Sequence, residues 1–372
     1  MRRSVRVQML LTDAFGSFGG ISRFNRDFLA ALDACSSVER VHALPRLITE
    51  PIEEVIPEAV IFDRRAARGR VAFATQLLLY ALRAERVDLV ICGHLHLLPL
   101  AWLAARYQRA RLALIIHGFE AFGPSRYPLS NLLVDRIDAF IAVSRYSADR
   151  FVRWSHVARE RGFVLPNCVD VNRFTPAERD RRLVDRYGLH SSKVMLTVGR
   201  MAAGERYKGF DEVINLMPQL FQRFPDLKYL IVGDGSDRGR LEATVKALGL
   251  SKDVIFAGHI PESEKVAHYN LADVFVLPSY GEGFGIALIE AAACGIPIVG
   301  SAVDGSRDAL LDGRLGRLVD PKKPDELVEA ISAAMSGTRR RARNDLVETF
   351  DVGGFRVRVS RWMSEQAALA TA

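Results

Sequence analysis

Short, nearly unbroken apolar runs alternate along this chain with longer stretches in which apolar residues return every three or four positions. In the first half the runs are VRVQMLLT (5–12), EAVIFD (58–63), DLVICGH (88–94), RLALIIHG (111–118), AFIAVS (139–144) and GFVLPN (162–167). Between them, ISRFNRDFLAAL and RVAFATQLLLYALRAE show the period of helices. Strands that are apolar on both faces and separated by helices predict parallel sheets covered on both sides. PNCVDVNRFTPAERD, with its prolines, Asn and Asp, reads as a linker, and the pattern then starts afresh. The second set of strands is KVMLTVGR, LKYLIVGDG, DVIFAGH, DVFVLPS and IPIVGSAV. The expectation is α/β with two doubly wound domains, residues 1–168 and 169–354. A last helix at about 355–372 is expected to pack back on the first. The strand C-termini of both domains are expected to face a central cleft.

Composition agrees with two globular domains: 372 residues, 49% hydrophobic and 26% charged, exceed what one core usually serves. Cys35, Cys92, Cys168 and Cys294 lie far apart with no C-x-x-C pairing, which argues against a disulfide framework or a zinc knuckle and for a reduced, cytoplasmic chain. The N-terminus MRRSVRVQMLLTDAFG starts basic, but its apolar run breaks at Thr12 and Asp13, before a signal-peptide core forms. LLPLAWLAA is about half the length of a transmembrane helix. Residues 1–168 hold 23 Arg and no Lys against 16 acidic residues, a net of +7, whereas residues 169–372 hold 28 basic and 28 acidic residues. The excess charge points to an anionic partner of the first half, nucleic acid or anionic lipid.

Open parallel sheets bind ligands beyond the carboxyl ends of their strands, and here those ends carry unusual residues. The first strand runs into GSFGGISRF, the strand at 111–118 into HGFE, the first strand of the second half into GRMAAGERYKGFD, and DVFVLPS into YGEGFG. Glycines at a strand-to-helix turn let backbone N–H groups reach an anion, so Gly19 and Gly20 in one domain and Gly283 and Gly285 in the other suit one diphosphate. Close helix–sheet packing explains such glycines equally well. Arg200 and Lys208, in one loop, suit a phosphate pair; Lys208 taken alone also reads as a solvated loop lysine.

Glu290 sits in a helical segment with Ile286, Ala287, Ala293 and Cys294 one turn away, an isolated carboxylate in an apolar stripe. Glu282 precedes it by eight residues, about 12 Å if the whole span is helical. The paired carboxylates of glycosidases stand about 5–9.5 Å apart and converge on one bond. Glu282 and Glu290 therefore suit separate ends of an extended ligand such as a nucleotide sugar, with Glu290 on the ribose hydroxyls and Glu282 on the sugar. The structural alternatives are a helix cap for Glu282 and an exposed helix rim for Glu290.

EGFGIALIE, followed by AAACGIPIVGSAVDGSRDAL, resembles the signature of the retaining family-4 glycosyltransferases of GT-B fold, which pair two Rossmann-like domains. GGISRF, HGFE, PNCVDVNRF, VGRMAAGERYKGFD, IVGDGSDRGRLE and FAGHIPE extend the resemblance over nearly the whole chain. It implies a bacterial cell-surface polysaccharide or glycolipid hexosyltransferase, with the donor held mainly by the second domain. Arg200 and Lys208 would bind the diphosphate, Glu282 the donor sugar and phosphate, and Glu290 the ribose. Gly20 would meet the phosphate from the first domain, His117 the sugar, and the segment around Ile260 the base. Gly19, Gly199, Glu262, Gly283, Phe284 and Gly285 complete the expected donor site. The linker reads NCVD where the family often has NGVD, and GERYKGFD is longer than the commonest version of that loop.

Glycosyl transfer develops negative charge on the departing diphosphate, and preorganised cations and amides lower that barrier. No D-x-D pair occurs in the chain, in keeping with metal-independent catalysis and no cofactor. No residue stands out as a nucleophile for double displacement, and the resemblance suggests front-face attack. Glu262 and Lys265 suit a guanine edge, which favours GDP-mannose over UDP-glucose as donor. A lipid-linked or other hydrophobic or glycan acceptor, met on the inner face of the cell membrane, is expected. The alternatives are a nucleotide-sugar epimerase of similar architecture or a non-enzymatic sugar-nucleotide-binding protein. His94 and His96 at a strand end lack the further ligands a metal site requires, so none is expected. The basic run GTRRRARND lacks interleaved aromatics and reads as a solvated helix face rather than a nucleic-acid contact. Arg64, Arg65, Arg68 and Arg70 precede an apolar helix and suit an anionic membrane surface; a sheet-covering helix with a charged entrance fits the same residues.

Overall fold

The computed structural model describes residues 4–83, 86–337 and 344–371. The N-terminal Arg2 and Arg3, the end of the RVAFATQLLLYALRAE segment at Ala84 and Glu85, and the basic run Arg339–Arg343 lie outside the described residues. The chain divides into two compact units, Met1–Cys168 with Val352–Ala372, and Val169–Asp351.

Unit 1 holds strands β1 (Val5–Leu11), β2 (Val38–Pro45), β3 (Val60–Phe62), β4 (Leu89–Cys92), β5 (Arg111–Ile116), β6 (Ala139–Ala142) and β7 (Gly162–Val164). Its main helices are α1 (Gly20–Asp33), α2 (Arg70–Arg83), α3 (Leu98–Gln108), α4 (Pro128–Leu133) and α5 (Arg145–Ser155). The sheet order is β3-β2-β1-β4-β5-β6-β7 with every pairing parallel. Strands 1 and 4 to 6 are buried along nearly their whole length because helices cover both faces; Phe73 of α2, Leu98 of α3 and Phe151 of α5 pack one side.

Unit 2 repeats the scheme with β8 (Lys193–Val198), β9 (Leu227–Val232), β10 (Val254–Gly258), β11 (Val274–Leu277), β12 (Ile298–Ser301) and β13 (Arg317–Val319). Its helices are α6 (Arg181–Tyr187), α7 (Phe210–Phe221), α8 (Arg238–Ala247), α9 (Lys265–Tyr269), α10 (Ile286–Ala293), α11 (Ser306–Ala309) and α12 (Pro324–Ser336). The order is β10-β9-β8-β11-β12-β13, again all parallel. Met195, Val276, Leu220 and Ile331 lie in its core.

The final helix, α13 (Val352–Thr371), belongs to unit 1 and packs on α1. Phe355 meets the Phe24 ring edge-on at 5.9 Å, and the buried Trp362 lies 6.4 Å from Phe28. The two doubly wound parallel sheets expected from the sequence are present. Two strands were not anticipated: β2, whose Glu39 and Arg40 are exposed and whose buried His42 is polar, and the three-residue edge strand β13.

Candidate functional site

In both sheets the strand order reverses direction between the first and fourth strands, so the loops leaving β1 and β4, and β8 and β11, part to opposite faces and open a crevice at the strand C-termini. In unit 2 the loop after β8 carries Gly199, Arg200 and Lys208, and the loop after β11 carries Glu282, Gly283, Phe284 and Gly285.

The two loops clasp each other. Tyr280 N donates to Tyr207 O at 2.9 Å, the Tyr280 hydroxyl to Arg206 O at 3.3 Å, and the Tyr207 ring lies over Gly281. Lys208 passes beside Gly199 and its ammonium pairs with the Glu282 carboxylate, each side chain about one-seventh exposed (13% and 14%). Lys208 is therefore not the solvated loop lysine of the alternative reading. Arg200 is 64% exposed along its side chain and pairs with Glu205, Nε donating to Oε2 at 3.2 Å. Glu205 comes from the longer version of this loop, and its significance was not read from the sequence.

α10 begins only at Ile286, with Gly285 as its N-cap at φ +90°, so Glu282 stands in the preceding loop and does not cap the helix by its side chain. Phe284 is buried against Phe350 at 5.4 Å; its side chain anchors the loop in the core. Glu290, expected on a ribose, is buried and already engaged. Lys265 Nζ donates to its Oε1 at 2.8 Å and the Tyr269 hydroxyl to its Oε2 at 2.7 Å. The exposed-rim alternative is excluded by that burial. Burial first, and then the Glu290 charge, hold the Tyr269 phenol well above the usual range. Lys265, expected at a guanine edge together with Glu262, is thus drawn onto Glu290, while Glu262 accepts from Arg173 Nη1 at 3.0 Å and lies 3.8 Å from Lys265 Nζ. Ile260 follows β10 in a half-buried loop position.

Asp304, in the loop after β12, was also missed. It is fully buried, and its carboxylate accepts from Ser279 Oγ at 2.6 Å, Glu282 N at 2.9 Å and Ser306 N at 2.9 Å. Burial pushes its carboxyl up to about 6, against the lowering effect of those hydrogen bonds. Nothing in the local sequence announces which loop the carboxylate holds.

In unit 1 the β1 loop is fixed by its own side chains. Asp13 accepts from Thr12 at 2.8 Å and Ser22 at 2.6 Å, and Arg26 donates to Ala14 O and Ser17 O at 2.8 and 2.9 Å. This leaves Gly19 and Gly20 exposed at the start of α1. His117, after β5, shares a hydrogen bond with Gly93 O at 3.0 Å, and Glu120 accepts from the His117 and Gly118 amides at 2.7 and 3.1 Å. Burial holds the His117 ring below the usual range, in its neutral form near pH 7. The His94 and His96 rings lie 4.2 Å apart, His96 lies 6.1 Å from Tyr127, and Arg126 sits over Tyr127 at 5.1 Å. His94 is lowered to about 3, first by burial and then by His96 and His117. Among the described residues no group of three or more His, Cys, Asp or Glu is placed to hold a metal ion. The described helices include none long and apolar enough to cross a membrane.

Residues 18–173 match the family described as Glycosyltransferase Family 4, and residues 184–349 that described as Glycosyl transferases group 1. A GDP-mannose-dependent alpha-(1-6)-phosphatidylinositol monomannoside mannosyltransferase of Mycolicibacterium smegmatis is 34% identical over 261 residues, which is 66% of each chain. The GDP-mannose-dependent monoacylated alpha-(1-6)-phosphatidylinositol monomannoside mannosyltransferase of Corynebacterium glutamicum is 28% identical over 360 residues, 92% of each. Among solved structures, the sucrose-phosphate synthase of Thermosynechococcus elongatus superposes with a TM-score of 0.77 at 20% identity, covering 98% of this chain and all of that one. Anabaena HepE in complex with UDP and glucose superposes with a TM-score of 0.76 at 19% identity, over 97% of this chain and all of that one.

Proposed function

The chain belongs to the family-4 glycosyltransferases of GT-B fold, and from that premise we propose that it transfers mannose from GDP-mannose to a phosphatidylinositol-type glycolipid with retention of configuration. The observation that carries this reading is the convergence, at the switch point of the unit 2 sheet, of Arg200, the Lys208–Glu282 pair and the start of α10. Two cations and the N-terminal end of a helix suit a departing diphosphate, whose charge grows as the sugar–phosphate bond breaks. In this reading Lys208 turns from Glu282 toward the phosphate as donor binds, and Glu282 is left to accept from the sugar. Glu290 keeps lone pairs for ribose hydroxyls beyond the two it already uses. The acceptor hydroxyl attacks from the face the diphosphate leaves, and the leaving phosphate oxygen takes its proton. The cations do the charge work that a metal does elsewhere, so transfer is proposed to need no metal. GDP-mannose is favoured over UDP-glucose because the two mannosyltransferase relatives are described as GDP-mannose-dependent.

The acceptor is assigned to unit 1, on a membrane surface. Arg64, Arg65, Arg68 and Arg70 are exposed, although Arg65 is partly engaged by Asp63 at 2.8 Å. On the adjoining α2, Val71, Leu78 and Leu82 are exposed at 80%, 58% and 62%. Leu103 and Tyr107 of α3 and Leu129 and Leu132 of α4 are also exposed, and α3 packs beside both neighbours. Apolar side chains bordered by arginines suit the interface of an anionic bilayer.

The test is a thermal-shift series with GDP, UDP and ADP, followed by transfer from GDP-mannose to phosphatidylinositol mannoside with and without EDTA. A ligand at a hundred times its dissociation constant stabilises by about 2.7 kcal/mol. GDP should stabilise most, mannolipid should form, and EDTA should leave the rate unchanged. No shift with any nucleotide, or release of free rearranged nucleotide sugar without an acceptor, overturns the reading; a rate restored only by magnesium or manganese overturns its metal-free part.

A further inference from the structure

The loop from Ser301 to Ser306 reads at first as an ordinary strand-to-helix connection, with Asp304 Oδ1 accepting from Ser306 N at 2.9 Å at the start of the short α11. That role uses one carboxylate oxygen. The other, Oδ2, accepts from Ser279 Oγ at 2.6 Å and Glu282 N at 2.9 Å, both in the β11–α10 loop and neither needed by α11. The next residue completes the grip: Gly305 N donates to Glu282 O at 3.0 Å. Glu282 thus has its N–H and its C=O held by consecutive residues of a neighbouring loop, while its side chain is left to Lys208. Gly305 cannot be larger without moving that loop, since an added Cβ would lie 2.1 Å from Gly283 O and 2.8 Å from Glu282 O. Parallel pairing of β11 with β12 brings the two loops side by side.

We propose that Asp304 is a positioning residue of the donor site, acting through the Glu282 backbone to fix the direction in which the Glu282 carboxylate meets Lys208 and the donor. Being fully buried, Asp304 touches no substrate. The inference rests on the assignment of Glu282 to the donor.

Two measurements on the full chain test it. The first needs no ligand: amide hydrogen exchange in Asp304→Asn, a near-isosteric change that turns one acceptor oxygen into a donor facing N–H or O–H groups. Exchange across residues 279–285 should quicken by about tenfold or more while β8 and β9 keep their protection. Unchanged exchange there overturns the proposal. The second is a double-mutant cycle with Glu282→Gln on transfer from GDP-mannose. Misplacing a catalytic group by about 1 Å costs on the order of a hundredfold, so Asp304→Asn should lower kcat by about that factor with KM little changed. In the Glu282→Gln background the same substitution should cost about threefold or less, because the group it positions is already gone. Equal losses in both backgrounds mark a general structural defect and overturn the proposal. If Asp304→Asn does not fold, Gly305→Ala, which keeps the carboxylate but displaces the Glu282–Gly283 carbonyls, must show the same non-additivity, and additive losses count against it. A chain inactive on GDP-mannose with quickened 279–285 exchange keeps the clamp and sinks the donor reading, whereas an active one with unchanged exchange sinks the clamp alone.

Discussion

Lys208 and Glu282 form an ion pair set back from solvent, so removing either partner leaves the other desolvated and unpaired. Lys208→Ala also deletes a cation aimed at the leaving group, and turnover should fall by about a hundredfold or more, as when one preorganised stabiliser of transition-state charge is lost. Steady-state kinetics with saturating donor check this; full activity would remove Lys208 from the diphosphate site. Asp304 carries a pH signature. Its carboxyl is raised in the fold from 3.8 to about 6 by burial, so the folded state holds its proton more tightly than the unfolded chain. The stability this contributes is fully present below about 3.8 and is lost as pH rises through about 6, an effect of about 3 kcal/mol at most. Asp304→Asn cannot ionise, so the stability advantage of the wild-type chain over this variant should shrink between pH 4 and 7. Calorimetric melts across that range measure it, and an advantage that grows with pH contradicts the assignment. Against burial, the Ser279, Ser306 and Glu282 donors around Asp304 favour its charged form.

At the scale of elements, the site depends on how loops leave neighbouring strands. Gly209 ends the Lys208 loop and caps α7 at φ +84°, and an added Cβ would lie 2.6 Å from Pro278 O in the β11 loop. Gly209→Ala therefore meets both backbone strain and a clash with the other half of the donor site. It should cost about 2–3 kcal/mol of stability and lower kcat, since Lys208 and Glu282 shift together. A variant with unchanged melting temperature and turnover would show that the two loops are not coupled. The strands read from the sequence were those apolar on both faces. β2 escaped because its first half is exposed and its buried His42 looks polar, and β13 because three residues carry no period.

Over the whole molecule, the excess positive charge and most of the exposed large apolar side chains fall in unit 1, and the membrane assignment is decided there. Changing Arg64, Arg65, Arg68 and Arg70 together to Gln should remove most binding to acidic vesicles, with each basic residue near the surface contributing about 1 kcal/mol. Binding of the wild-type chain should weaken as salt rises, because screening acts within about 8 Å at physiological ionic strength. GDP affinity, assigned to unit 2, should stay unchanged. Co-sedimentation with acidic and neutral vesicles at low and high salt measures this, and equal pelleting of the two proteins would end the membrane role of this segment.

Two doubly wound sheets were legible in the chain because strands buried on both faces must be apolar throughout, and that pattern is local. The residues gathered at strand ends, Arg200, Lys208 and Glu282 among them, were legible for the same reason: a parallel strand delivers whatever follows it to one edge of the sheet. Partnership among those residues was not. Lys265 with Glu290, Lys208 with Glu282 and Asp304 with the Glu282 amide join positions 25, 74 and 22 residues apart. A helical or strand period reaches only a few residues along the chain. The last two pairs exist because β8, β11 and β12 lie side by side, and the first because α9 and α10 flank β11 in the chain, an order set by the packing of the whole unit. Burial then decided their chemistry: it set Glu290 against Lys265 and the Tyr269 hydroxyl, and it raised the carboxyl of Asp304.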